Sequence, residues 1–229
     1  LAKNKNKPTV CGKAKRNFLM ADLRAIDNSN EESPQYIIAG HAAVFDQVTN
    51  IGGFFYEVIE RGAFDKTDFK DVLFSVNHDL NKIPLARSRN NNINSTLQLN
   101  VDDIGLAIKA NLDVDNNSDA RSLYSSVSRG DMDGMSFIFY VKDESWDNLD
   151  SEMPTRRIHE IDKVIEVSAV SFPAYDGTNI IIDSRDRNVL DSAKLALDNA
   201  RAKLGLSNEA GEENLLELER LRAKTLFKF

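Results

Sequence analysis

Gly134-Met135-Ser136-Phe137-Ile138-Phe139-Tyr140 decides how this chain is read. It reads as a strand, with side chains alternating between two faces and aromatic and β-branched residues among them. Ser136, Ile138 and Tyr140 fall on one face, and Phe137, Phe139 and Val141 on the other. A small hydroxyl at the head of such a strand, just after a glycine, is a candidate nucleophile. It needs a base to act at neutral pH, and histidine is the usual one. Upstream, Val72-Leu73-Phe74-Ser75-Val76-Asn77-His78-Asp79 reads as a second apolar strand, and it ends on a histidine.

Working outward, Phe18–Asp27 and Tyr36–Phe45 read as strands, the latter with Gly40 and His41 at its centre. A glycine inside a strand marks a bulge or a close approach by another group. Phe54–Ile59 is apolar again, and a short helix is expected near Asp65–Phe69. Ile83–Arg89 reads as a loop or short strand. Four asparagines in Asn90–Asn94 make a turn, and Thr96–Val101 with Gly105–Leu112 predict a hairpin around Asp102-Asp103. Asn117 or Ser118 caps a helix over Asp119–Arg129, which Gly130 stops. Glu144–Thr155 reads as a polar loop, then Arg156–Ile161 and Val164–Phe172 as two strands. Seven or eight strands with one or two helices and no βα alternation predict a strand-dominated α+β fold. Its mixed or antiparallel sheet is expected to close towards a barrel flanked by helices.

Both ends differ from this body. Residues 1–17 carry six basic and no acidic side chains, as a solvated, disordered arm does. The sharper alternative is an arm that docks on acidic protein or packaged nucleic acid. Beyond residue 187, Leu190, Ala193, Leu197, Ala200 and Leu204 follow helical spacing up to Gly205. Leu215, Leu218, Leu221 and Leu226 repeat the pattern. The domains are therefore an arm (1–17), a β-rich body (18–187) and an amphipathic helical tail (188–229). The tail either packs back on the body or detaches for oligomerisation or targeting.

The net charge of −7 argues against wholesale nucleic-acid binding. One cysteine, Cys11, rules out an internal disulfide and fits a reducing compartment. No run of about 18 apolar residues suggests a membrane span, and no secretory h-region is visible. The three histidines, His41, His78 and His159, lack metal-ligand spacing, so no zinc site or other cofactor is expected. Asp113–Asn117 begins like a calcium loop, but Ser118 and Tyr124 stand where Gly and Glu are required. Arg129-Gly130-Asp131 is too common a tripeptide to signal adhesion. His41, inside an apolar run, reads as structural. Ser136 is not in a nucleophile elbow, because Ile138 stands where that motif has Gly.

Taken together, Gly40–Asp46 (GHAAVFD), Arg61–Phe64 (RGAF), Asn77-His78-Asp79, Thr96–Leu99 and Gly105-Leu106 form an ordered series. It continues through Arg129–Asp131 with Gly134–Phe137, Glu166-Val167-Ser168, and Phe172-Pro173-Ala174-Tyr175. From about Ile37 to Ala174 the chain resembles the prohead (capsid maturation) proteases of tailed bacteriophages. These are similar in fold to the herpesvirus assemblins, serine proteases on a β-barrel flanked by helices. The resemblance implies a serine endopeptidase with Ser136 as nucleophile and His78 as general base. Glu166, in the Glu-Val-Ser motif, would orient the imidazole. His159 is the alternative third member, since assemblins use a second histidine there. The implied substrates are the scaffolding segment of the major capsid protein and the protease itself. The implied setting is the procapsid interior in the host cytoplasm, with self-association, no membrane and no sequence-specific nucleic acid. A non-catalytic scaffold protein on the same fold is the competing expectation.

Overall fold

A computed structural model describes residues 13–18, 22–27, 35–171 and 184–206. Eleven strands and two helices lie among them. In chain order these are β1 (Lys13–Phe18), β2 (Arg24–Asp27), β3 (Tyr36–Val44), β4 (Thr49–Ile51), β5 (Phe55–Ile59) and β6 (Asp71–Val76). Then come β7 (Ala86–Arg89), β8 (Leu97–Val101), β9 (Gly105–Leu112), α1 (Ser118–Ser128), β10 (Gly134–Asp147), β11 (Thr155–Val170) and α2 (Ser184–Lys203).

The strands form two sheets. The four-stranded sheet runs β2-β3-β9-β8 and is antiparallel throughout. The seven-stranded sheet is mixed and is built around β11. Along one edge β11 pairs antiparallel with β10. Along the other it pairs in parallel with β5 near its start and β6 near its end. Among the described residues neither pairing path returns to its own first strand, so the expected closure into a barrel is replaced by two sheets over one core. Phe74, Phe137 and Phe139 from the larger sheet meet Ile38, Leu97, Leu106 and Ile108 from the smaller. Ala120, Leu123 and Val127 of α1 complete that core. Phe137 and Phe139 stack at 4.3 Å, both fully buried.

Two glycines sit at close approaches, Gly40 facing the other sheet and Gly105 a neighbouring strand of its own. A Cβ on Gly40 would sit 3.1 Å from Leu23 Cα and 3.3 Å from Met135 Sδ, the close approach its place in the strand suggested. A Cβ on Gly105 would lie 2.0 Å from the Ala43 carbonyl oxygen, a position no side chain can share. The β8–β9 hairpin turns as expected, with Asp102 Oδ1 accepting from the backbone N–H groups of Ile104 and Gly105. α1 starts on Asn117, whose side chain accepts from Asp119 and Ala120 N–H.

Several expectations are corrected. Lys13–Phe18 is a strand on β10 rather than part of a solvated arm, and the Phe18–Asp27 region contributes only β2 after it. Residues 1–12, with Cys11, lie outside the described residues. The expected helix at Asp65–Phe69 is a run of turns closed by Asp65 N–H to Gly62 O and Thr67 N–H to Phe64 O. The first four residues of the expected Glu144–Thr155 loop continue β10, and the two strands expected from Arg156 onward are one, β11. Polar cross-strand pairs explain the first difference: Arg156 with Glu144, and Arg157 with Asp147 at 2.6 Å. Such pairs satisfy a ladder that shows no apolar alternation.

The tail helix begins earlier than expected, at Ser184, and packs back on the body. Ala193, Leu197 and Ala200 cluster with Ile51, Phe55 and Leu149, beside Trp146. Arg201 donates to the carbonyls of Leu149 and Ser151. The second tail run, Leu215–Leu226, and the Phe172–Tyr175 motif lie outside the described residues. No described helix is long and apolar enough to cross a membrane.

Candidate active site

The site sits where β6, β11 and β10 run side by side. Ser75 of β6, Ser168 of β11 and Ser136 of β10 occupy one register row across the three strands. Glu166 lies two residues before Ser168, on the same face of β11. All four are buried, Ser75 at 5% and the others at 0% exposure.

His78 reaches this row because β6 ends in an abrupt corner. Asn77 and His78 both adopt positive φ, 50° and 57°. Asn tolerates that region, whereas a residue such as His occupies it only when held there. Asn77 N–H donates to Ala169 O at 2.9 Å, and its side chain accepts from Ser171 N–H at 3.0 Å. His78 N–H donates to Ser168 Oγ at 3.0 Å. The imidazole is thereby turned back over the sheet.

There it joins two of the three groups expected from the sequence. Ser136 Oγ lies 2.5 Å from His78 Nε2. His78 Nδ1 lies 2.7 Å from Glu166 Oε2. A carboxylate only accepts, so Nδ1 carries the proton and Nε2 presents its lone pair to the hydroxyl. Glu166 Oε1 accepts from Ser75 Oγ, and Ser75 Oγ is 3.0 Å from Ser168 Oγ. The His78 and Glu166 side chains are only 5% and 1% exposed.

The other histidines are elsewhere. His159 does not enter this site: its Nδ1 is 2.8 Å from Glu60 Oε2 and its Nε2 2.7 Å from Ser145 Oγ. His41 bridges Asp22 Oδ2 at 2.5 Å and Asp102 Oδ2 at 3.0 Å, tying the start of β2 to the β8–β9 turn. That is the structural role its sequence position suggests. Burial opposes its charge, but hydrogen bonds to Asp22 and Asp102 outweigh burial and raise its pKa above the ordinary value. Among the described residues no three His, Cys, Asp or Glu side chains are arranged to hold a metal. The Arg129-Gly130-Asp131 tripeptide closes on itself, Arg129 Nε donating to Asp131 Oδ2 at 2.8 Å just after α1. Arg61 and Asp46, from two of the sequence motifs, pair at 2.9 Å.

The sequence reading names Ser75 in a strand and Ser168 in the Glu166-Val167-Ser168 motif but gives neither a role. Each is a small polar residue inside an apolar run, Phe74-Ser75-Val76 and Val167-Ser168-Ala169. Only strand register brings them to the same carboxylate.

Hydroxyl, imidazole and carboxylate in line form the working arrangement of a serine hydrolase. Comparison with known proteins gives the same class. The model of the Caudovirus prohead serine protease family matches residues 21–192, and the chain belongs to that family. It is a serine peptidase of phage procapsid maturation. Among solved structures it is similar to the bacteriophage T4 capsid assembly protease, gp21, with 11% identity and a TM-score of 0.41. The match covers 70% of this chain and 99% of that one. No curated protein matches the chain.

Proposed function

We propose that Ser136 is the nucleophile, His78 its general base and Glu166 the carboxylate that orients the imidazole. The substrate on this reading is the scaffolding segment of the major capsid protein, cut inside the procapsid within the host cytoplasm. Self-cleavage of the protease follows from the same chemistry. The 2.5 Å contact between Ser136 Oγ and His78 Nε2 carries the reading.

The steps follow from the atoms. Ser136 Oγ attacks the peptide carbonyl carbon as its proton passes to Nε2. The imidazolium that forms keeps its Nδ1–H on Glu166, whose charge stabilises it in a site with little water. Nε2–H then protonates the leaving amine as the C–N bond breaks. Water attacks the acyl-enzyme, with Nε2 again taking the proton, and releases the second product. Membership of the prohead protease family supports the capsid protein as substrate.

The test is co-expression with the major capsid protein and comparison of intact masses for the native chain, Ser136→Ala and His78→Ala. Trimming by the native chain alone is the expected result, and the masses give the cut sites. Equal trimming by all three would remove Ser136 and His78 from the chemistry. Assembled shells with no trimming in any case would favour a scaffold role for this chain.

A further inference from the structure

The hydrogen bonds behind His78 form a closed ring, and their directions can be worked out. Glu166 Oε1 can only accept, so the single Ser75 hydroxyl proton points to it. The Ser75–Ser168 contact at 3.0 Å therefore has Ser168 as donor. Ser168 Oγ in turn accepts from His78 N–H at 3.0 Å. The ring closes where His78 Nδ1–H meets Glu166 Oε2 at 2.7 Å. It leaves the histidine by its backbone, passes two hydroxyls and one carboxylate, and returns to its ring.

We propose that Ser75 and Ser168 are positioning residues of the Ser136 site, coupling the backbone of His78 to the carboxylate that holds its imidazole. This rests on the reading of Ser136 and His78 given above. Two features favour coupling over space-filling. The backbone of His78 sits at φ 57°, a conformation that persists only when its surroundings over-determine it. Glu166 is fully buried, and a carboxylate there has two ways to satisfy Oε1: rotate away from His78, or find a second donor. Ser75 supplies that donor and so leaves Oε2 fixed on Nδ1. Ser75 acts through Glu166, and Ser168 through the backbone of His78.

The test uses the full chain and a fluorophosphonate probe. Intact mass and peptide mapping follow modification of Ser136. Ser75→Ala and Ser168→Ala are each expected to lower the maximal inactivation rate roughly 10- to 100-fold while the half-saturating probe concentration holds. Because both act through one ring, the double variant should fall within about two- to threefold of the worse single. Ser75→Thr, which keeps the hydroxyl, should recover most of the rate. Should Ser75→Ala fail to fold, Ser75→Cys fills the same space with a weak donor, and a lowered rate is expected there too. Thermal unfolding of each variant separates rate from foldedness. Full rates in both Ala variants, or losses that multiply in the double, would overturn the proposal and leave Ser136 as nucleophile. No modification of Ser136 in the native chain would overturn that nucleophile and this proposal with it.

Discussion

The same three residue types meet twice beside the paired strands β10 and β11. At one place Ser136, His78 and Glu166 line up over 2.5 and 2.7 Å. At the other Ser145, His159 and Glu60 line up over 2.7 and 2.8 Å, through the same ring nitrogens. Residue types and distances do not separate the two. Their surroundings do. His78 and Glu166 are 5% and 1% exposed, whereas His159 and Glu60 are each 33% exposed. Water screens the second pair and competes for every bond in it. The carboxylates also differ in what else they hold. Glu166 gives its second oxygen to a neutral hydroxyl and keeps its charge for the imidazole. Glu60 faces the Arg157 guanidinium at 3.4 Å, which already neutralises it. On the proposed reading, a nucleophilic relay depends on burial and on an undivided carboxylate.

The largest expected effect is on the nucleophile. Ser136→Ala should lower capsid-protein cleavage by roughly 10⁴-fold or more, while Ser145→Ala should stay within about twofold of the native rate. Rates measured on both in parallel test this, and a large loss in Ser145→Ala would break the comparison.

The carboxylates should follow the same order with a smaller gap. Glu166→Gln is expected to cost roughly 10³- to 10⁴-fold in turnover, because the amide no longer stabilises the imidazolium. Glu60→Gln should change turnover little, with a modest drop in melting temperature as Arg157 loses a partner. Turnover and unfolding of both variants read this out.

Arg157→Ala sharpens the argument about neutralisation. Removing the guanidinium leaves Glu60 undivided, yet the site stays exposed. In a Ser136→Ala background the fluorophosphonate should still leave Ser145 unmodified. Modification there would mean that the carboxylate's partner, not burial, is what silences the second relay.

The smallest effect belongs to His41, held between two carboxylates with no hydroxyl to activate. Its folded-state pKa is raised above the unfolded value. The stability it contributes is thus fully present below the unfolded value of about 6.5. It fades as pH rises through the raised folded value. The melting-temperature gap between the native chain and His41→Gln should narrow from pH 5.5 to pH 8.5 in thermal scans.

Much of this was readable before any coordinates. Strand periodicity located β3, β5, β6, β8, β9 and the head of β10 within a residue or two. Asn117 and Gly130 bracketed α1, and the place of Gly40 within its strand signalled a close approach. The misses share a cause. The end of β10 and the start of β11 carry Glu144, Asp147, Arg156 and Arg157, whose partners lie across the ladder rather than along the chain. Apolar alternation cannot register them. β1 was hidden for the same reason, since a basic run reads as solvated until a partner strand is known.

The sequence alone determined that Ser136 heads an apolar strand, that His78 ends another, and that Glu166 and His159 were the two choices for a third member. Side-chain chemistry and local periodicity suffice for the two strands, and the family resemblance supplies the two choices. Only the tertiary structure set Glu166 rather than His159 against His78, placed Ser75 and Ser168 behind that carboxylate, and laid the strands in two sheets instead of a barrel. Those outcomes depend on strand register and on a left-handed corner at Asn77-His78. Both are fixed by pairing between residues that lie some ninety positions apart in the chain.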